Sequence, residues 1–188
     1  MEKFVAEEIF GGLKMITPTT FADGRGCFAE RYNQRDFGEL GIKTTFVQDN
    51  ESWSRGGVVR GLHFQKTKPQ EKLVRVAYGK AFDVAVDLRQ GATQGKWFGV
   101  VLSAENGKQL YIPKGFAHGF LALSEWVCFC YKVSDYFDAS DEDGIAFDDP
   151  TIGVDWPKTN FGEFIVSEKD RNWGSFLLWK RERSNMFL

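Results

Sequence analysis

Hydrophobic residues along the middle of the chain recur with a period of two. Lys72-Leu73-Val74-Arg75-Val76-Ala77-Tyr78 alternates, Gly79-Lys80 interrupts, and Ala81-Phe82-Asp83-Val84-Ala85-Val86-Asp87-Leu88 alternates again. Successive side chains of a strand point to opposite faces, so this rhythm predicts strands. Two of them around a short glycine-containing loop predict a β-hairpin. Trp97 to Leu102, Gln109 to Pro113 and Trp126 to Val133 are further strand segments, separated by turn signals such as Glu105-Asn106-Gly107. Short strands at this spacing predict an all-β sandwich or barrel. One helix is expected near Asn33 to Leu40, ended by Gly41. No internal repeat, low-complexity tract or flexible linker interrupts the pattern, so residues 1–188 read as one domain. Its N-terminal ~30 residues read as an arm, and residues 158–188 as a less regular packing segment.

Composition narrows the function classes. With 24 basic and 26 acidic residues the formal charge is −2, which gives no electrostatic reason to expect nucleic acid or an anionic membrane. No stretch approaches the ~20 apolar residues of a membrane span. Met1-Glu2-Lys3-Phe4 lacks a basic region followed by an apolar one, so it does not read as a secretory signal. Three cysteines, an odd number, argue against a disulfide framework, and Cys128 and Cys130 read as small buried residues on one strand face. The expected compartment is cytoplasmic.

Only two histidines are present, His63 in Arg60-Gly61-Leu62-His63-Phe64-Gln65 and His118 in Pro113-Lys114-Gly115-Phe116-Ala117-His118-Gly119-Phe120. A metal-binding barrel usually converges three or more His or carboxylate ligands, and no His-x-His pair or Cys/His cluster supplies them here. A lone strand histidine is more often packed structure than catalyst. Polar company in an apolar strand set favours the second reading. Lys72 shares parity with Val74 and Val76, and Tyr131 with Val127 and Phe129, so both project into the barrel. A buried Lys or Tyr needs a partner or a ligand; a snorkelling lysine and a tethered core tyrosine are the alternatives.

Several segments, in order and at compatible spacing, carry a resemblance. They are Phe21-Ala22-Asp23-Gly24-Arg25-Gly26 with Phe28 and Glu30, Phe46-Val47-Gln48-Asp49-Asn50, Gly57 to Gln65, Gln70 to Val76, and Asp83 to Arg89. Ile112 to Phe120, Tyr131-Lys132, and Asp149-Pro150 leading to Gly153-Val154-Asp155-Trp156-Pro157 complete the set. From about Phe21 to Asp170 the chain resembles the dTDP-4-dehydrorhamnose 3,5-epimerases, deoxysugar epimerases of bacterial dTDP-L-rhamnose synthesis.

That resemblance implies a cupin-type jelly-roll barrel that works without metal or other cofactor. It implies a homodimer whose N-terminal strands cross to the partner. It implies a dTDP-linked 4-keto-6-deoxyhexose as ligand: dTDP-4-dehydro-6-deoxy-D-glucose in, dTDP-4-dehydro-L-rhamnose out. It also implies His63 as base, Asp170 as the carboxylate orienting it, Tyr131 as acid and Lys72 beside the reacting ketone. Gln48, Asp49, Asn50, Arg60, His118, Glu142 and Lys169 match substrate-contacting positions, and Phe137 the aromatic that stacks on thymine. Arg25 and Glu30 match residues that reach the partner's site.

The chemistry suits these residue types. A ketone at C4 acidifies the hydrogens at C3 and C5, and removing either leaves an enolate. A neutral imidazole is a base for that step near pH 7. A lysine stabilises the enolate as fixed positive charge. Inversion requires a proton from the opposite face, which a phenol can supply. No G-x-G-x-x-G dinucleotide fingerprint is present. Arg25, Arg60 and Lys169 are candidate cations for the diphosphate. Arg60 and His63 have opposite strand parity, so a bulge or kink at Gly61 is expected if both reach one ligand. Glu51 and Trp53 lie beside the Gln48–Asn50 segment and are expected to influence sugar fit. The tail from Arg171-Asn172-Trp173-Gly174 onward departs from the family pattern. The competing readings are an epimerase of C3 or C5 alone, a non-catalytic nucleotide-sugar-binding barrel, and a metal cupin oxygenase, which the missing ligand set disfavours.

Overall fold

The computed structural model describes residues 2–183. Two six-stranded sheets face each other. The first is ordered β1(Phe4–Phe10), β2(Leu13–Pro18), β10(Gln109–Ile112), β7(Lys72–Tyr78), β12(Trp126–Val133), β5(Gln48–Arg55). The second is ordered β13(Glu142–Gly144), β6(Val58–Gln65), β11(Phe116–Ala122), β8(Lys80–Asp87), β9(Trp97–Ser103), with β14(Ile165–Val166) parallel to β6. A small separate hairpin joins β3(Phe21–Asp23) to β4(Gly26–Phe28). The helices are α1(Gln34–Glu39), α2(Glu168–Arg171) and α3(Phe176–Arg183). This is the expected cupin-type jelly-roll barrel with a few short helices.

The alternation read from sequence decides which side chains fill the barrel. Val74 and Val76 of β7 join Val127 and Phe129 of β12, Leu110 and Ile112 of β10, and Phe116 and Phe120 of β11 in the central core. Phe120 and Phe129 stack from opposite sheets, ring centroids 4.2 Å apart and nearly parallel, an arrangement that adds about 1 kcal/mol to the burial of the rings. On the other side of the first sheet, Leu73 and Tyr111 pack with Phe4, Ile16, Phe37 and Ile42 beneath α1. The helix begins where Asn33 Oδ1 accepts from the amides of Arg35 and Asp36, and the chain leaves it through Gly41 at φ +80°. The outer side of the second sheet is covered by the C-terminal segment, with Phe176 and Trp179 buried against Leu62, Val84 and Val86.

One strand expectation is corrected. Lys72–Tyr78 and Lys80–Asp87 are both strands, but they do not form a hairpin. β7 pairs with β10 and β12, whereas β8 pairs with β9 and β11. Gly79, at φ +75°, carries the chain across the barrel edge from one sheet to the other, packed against Ser124 and the Trp126 carbonyl. A short glycine loop is compatible with either outcome. Long-range pairing decides between them, and both edges of each strand are already occupied by other partners. β5 and β11, in segments left unassigned to strands by apolar rhythm, complete the two walls.

Candidate active site

A cavity of about 410 Å³ opens between the two sheets. His63 of β6 and His118 of β11 are register partners on one wall. Lys72 of β7, Tyr131 of β12 and the polar inner face of β5 (Gln48, Asn50 and Ser52) form the other. In β5 the ordinary pattern is inverted: the side facing in is amide and hydroxyl, because it lines a cavity rather than the dry core.

The irregularity expected at Gly61 is present. Between the pairs His118↔His63 and Phe120↔Arg60, β6 takes three steps where β11 takes two. This one-residue bulge turns Arg60 and His63 to the same cavity. Gly61 has φ +132°, and a Cβ there would lie 2.6 Å from Gly119 Cα, so the bulge and the close approach of β11 both require glycine. Arg60 is held at the cavity mouth by Ser54 Oγ, which accepts from its Nε at 3.0 Å.

Asp170 sits behind His63, its Oδ1 2.6 Å from Nε2. Ser167 caps α2 and accepts from the Asp170 amide at 3.0 Å, fixing where the carboxylate starts. Burial pushes the Asp170 carboxyl up, but hydrogen bonding and charge from His63, with the Gly61 amide and the Trp173 indole, hold it below the usual carboxylate range. An ionised acceptor at Nε2 places the ring proton there and leaves Nδ1 as the basic nitrogen. Nδ1 lies 3.8 Å from Glu142 Oε1, and Glu142 is in turn ion-paired with Lys169.

Across the cavity the groups are proton donors. Burial pushes the Lys72 ammonium down from 10.5 to about 8, with Glu142 and Asp83 pulling it back up. It therefore remains mostly charged at pH 7. Burial and the Glu142 charge raise the Tyr131 phenol above its ordinary 10.0, against a smaller opposite pull from Arg60, so it keeps its proton at neutral pH. At the rim Gln48 Oε1 accepts from the Phe137 amide at 3.0 Å while Gln48 Nε2 donates to Asn50 at 2.7 Å. Phe137 is half-exposed there, a ring edge of the cavity available for stacking.

Eleven expected residues thus meet at one cavity: His63, Asp170, Lys72, Tyr131, Gln48, Asn50, Arg60, His118, Phe137, Glu142 and Lys169. Three do not. Asp49 points out of the opposite face of β5 to Lys132, 2.7 Å away. Arg25 lies at the tip of the exposed β3–β4 hairpin, paired with Asp23 at 2.6 Å. Glu30 pairs with Lys3 at 2.8 Å. Glu51 and Trp53 are also on the outer face, hydrogen-bonded to each other at 2.8 Å, and neither lines the cavity. A neighbour in sequence along a strand is on the other side of the sheet.

Two features escaped the sequence reading. Asp83 Oδ1 accepts from His118 Nε2 at 2.7 Å, making a second histidine–carboxylate pair in which burial pushes the imidazole toward its neutral form. Ser52, Gln65, Gln70 and Ser167 also line the cavity. Shared parity with Asn50 and Lys72 was the available signal for Ser52 and Gln70. Among the described residues one trio, Glu51, Cys128 and Cys130, groups three possible metal ligands. It lies on the outer face, and burial together with Cys130 pushes the Cys128 thiol up to about 12.

An imidazole–carboxylate pair facing a buried lysine and a tyrosine, inside a jelly roll, is equipment for shifting protons beside a carbonyl; the fold and site define an acid–base isomerase. The family model for dTDP-4-dehydrorhamnose 3,5-epimerase matches residues 8–177. The chain is 51% identical over 172 residues to the dTDP-4-dehydrorhamnose 3,5-epimerase of Methanothermobacter thermautotrophicus, covering 91% of this chain and 92% of that one. It is 52% identical over 159 residues to the Salmonella typhimurium enzyme of that name, covering 83% and 86%. The crystal structure of dTDP-6-deoxy-D-glucose-3,5-epimerase from Legionella pneumophila, in complex with dTDP-4-keto-L-rhamnose, superposes with a TM-score of 0.90 at 43% identity, over 95% of this chain and 96% of that one. This chain belongs to the dTDP-4-dehydrorhamnose 3,5-epimerase family, and it is an epimerase.

Proposed function

We propose that the chain converts dTDP-4-dehydro-6-deoxy-D-glucose to dTDP-4-dehydro-β-L-rhamnose by inverting C3 and C5. The observation that carries the reading is His63, backed by Asp170 at 2.6 Å, facing Lys72 and Tyr131 across one cavity. His63 Nδ1 removes the proton beside the C4 ketone. The Lys72 ammonium stabilises the negative charge that develops on O4. Tyr131, on the opposite wall, returns a proton to the other face of the ring, which inverts the carbon. Phe137 stacks on the thymine, and Arg60 and Lys169 offer cations to the diphosphate.

We further propose a homodimer. The β3–β4 hairpin is exposed throughout, with Phe28 68% exposed, and Arg25 at its tip is far out in solvent. An apolar and cationic hairpin of this kind suits insertion beside a partner's cavity. We also propose a cytoplasmic location, the compartment that an odd count of three cysteines suits.

The test is incubation with the 4-keto sugar nucleotide in deuterated water. Deuterium is expected at both C3 and C5. Incorporation at one carbon alone selects a single-site epimerase, and binding without exchange rejects catalysis. His63→Ala is expected to abolish exchange at both positions, whereas Tyr131→Phe retains deprotonation and loses most product formation.

A further inference from the structure

Trp173 lies just beyond Asp170, within the stretch that the family model matches, and the structure brings it behind the base. Its indole Nε1–H donates to Asp170 Oδ1 at 3.3 Å, the same oxygen that engages His63 Nε2 at 2.6 Å. Its ring meets the imidazole edge-on, with centroids 6.1 Å apart and planes at 71°. The Lys169 ammonium stands over the indole, 5.6 Å from its centroid.

The position is built rather than incidental. Gly144, the register partner of His63 on β13, lies against the indole. A Cβ at Gly144 would fall 2.6 Å from three indole atoms, so the strand is bare where the ring needs room. The chain is pinned on both sides of the tryptophan. Upstream, Ser167 caps α2. Downstream, Gly174 bridges to Ile145 and accepts from the Ala146 amide at 3.0 Å, and Phe176 is buried in the outer core.

We propose that Trp173 is a positioning residue for the His63–Asp170 pair: it shares the carboxylate oxygen with the imidazole, fixes the carboxylate's rotation, and shields the pair from water. This rests on the reading of His63 as the base. A carboxylate held by a second donor cannot swing away from Nε2, and the shared hydrogen bond draws charge from the oxygen that stabilises the imidazolium. Among the described residues, the other charged or titratable groups around His63 are Lys169 from α2, Glu142 from β13, His118 from β11, Lys72 from β7, Tyr131 from β12 and Arg60 on its own strand.

Trp173→Phe keeps a ring over Gly144 and removes the N–H. The expected result is a fall in kcat of roughly five- to tenfold, the weight of one hydrogen bond, with KM within about twofold. The acid limb of the kcat/KM–pH profile moves to higher pH, because an undiluted carboxylate favours the imidazolium. An unchanged kcat, or a fall in kcat with an unmoved acid limb, overturns the proposal. A second measurement needs neither activity nor a variant. In the wild-type protein the Trp173 indole N–H resonance, identified by its proximity to the Gly144 α-protons, should shift with the same midpoint as the His63 ring during a pH titration; a flat resonance overturns it. If the wild-type chain fails to turn over the 4-keto sugar, the proposed function falls, and the titration still decides the role of Trp173.

Discussion

Replacing Asp170 with Asn tests the catalytic pair most directly. The two side chains are nearly the same size, and Asp170 is 4% exposed, so the substitution changes charge and hydrogen-bond polarity without opening a void. Asp170 Oδ1 lies 2.6 Å from His63 Nε2. A hydrogen bond to a charged group contributes about 1.5–3 kcal/mol. Two unit charges 4 Å apart attract by about 4 kcal/mol at an effective dielectric of 20. These overlap, being two descriptions of one contact, so the transition state loses about 3–4 kcal/mol, or roughly 10²- to 10³-fold in rate. An Asn amide turned toward Nε2 adds a further cost. It donates, so the ring proton moves to Nδ1, the nitrogen facing the cavity, and the base is blocked. The assay is kcat and KM from proton exchange at C3 and C5, with thermal unfolding to verify the fold. KM should stay within about threefold, because Asp170 reaches the substrate only through His63. A rate within about fivefold of wild type would falsify the assignment of Asp170 as the orienting carboxylate.

Lys72→Met should remove activity and change how stability depends on pH. In the folded chain Lys72 gives up its proton near 8, against an ordinary 10.5. Between those values the unfolded chain holds more protons, so wild-type stability gains as pH rises from about 8 toward 10.5. The variant should lack that gain in denaturant titrations across the window. Wild-type activity, which needs the ammonium, should fall as pH rises through about 8; a flat alkaline limb to pH 10 contradicts the role given to Lys72. His118→Leu should destabilise. Asp83 is fully buried and its Oδ2 already has no hydrogen-bond partner, so removing His118 leaves the carboxylate unpaired. Breaking a buried pair by removing one partner costs about 3–5 kcal/mol, a loss of roughly 10 °C in Tm for a chain of this size. A melting point within about 2 °C of wild type would show that Asp83 does not depend on His118.

The strands of the central barrel were legible because burial on one side imposes a period of two. That rhythm put Lys72 with Val74 and Val76, and Tyr131 with Val127 and Phe129, on faces that do point inward. It also exposed the clash of parity between Arg60 and His63, which a bulge at Gly61 resolves. β5 gave no such signal, since its inward face is Gln48, Asn50 and Ser52. A strand that lines a polar cavity has nothing apolar to alternate.

Local and periodic features were legible in residue order: the strand faces, the cap at Asn33, the stop at Gly41, and the residue types able to move a proton. The motifs in order then pointed to the family. Strand pairing was not legible there, because it is settled by contacts between distant segments. Gly79 reads alike as a hairpin turn or a crossing between sheets, because the choice rests on hydrogen bonds to β10, β12, β9 and β11, far away in the chain. Asp49 left the cavity that its neighbours Gln48 and Asn50 line, and Trp173 arrived behind His63 across 110 positions of sequence. Such contacts are set by three-dimensional packing, where the gain from burial and paired hydrogen bonds exceeds any local preference of the residues that meet.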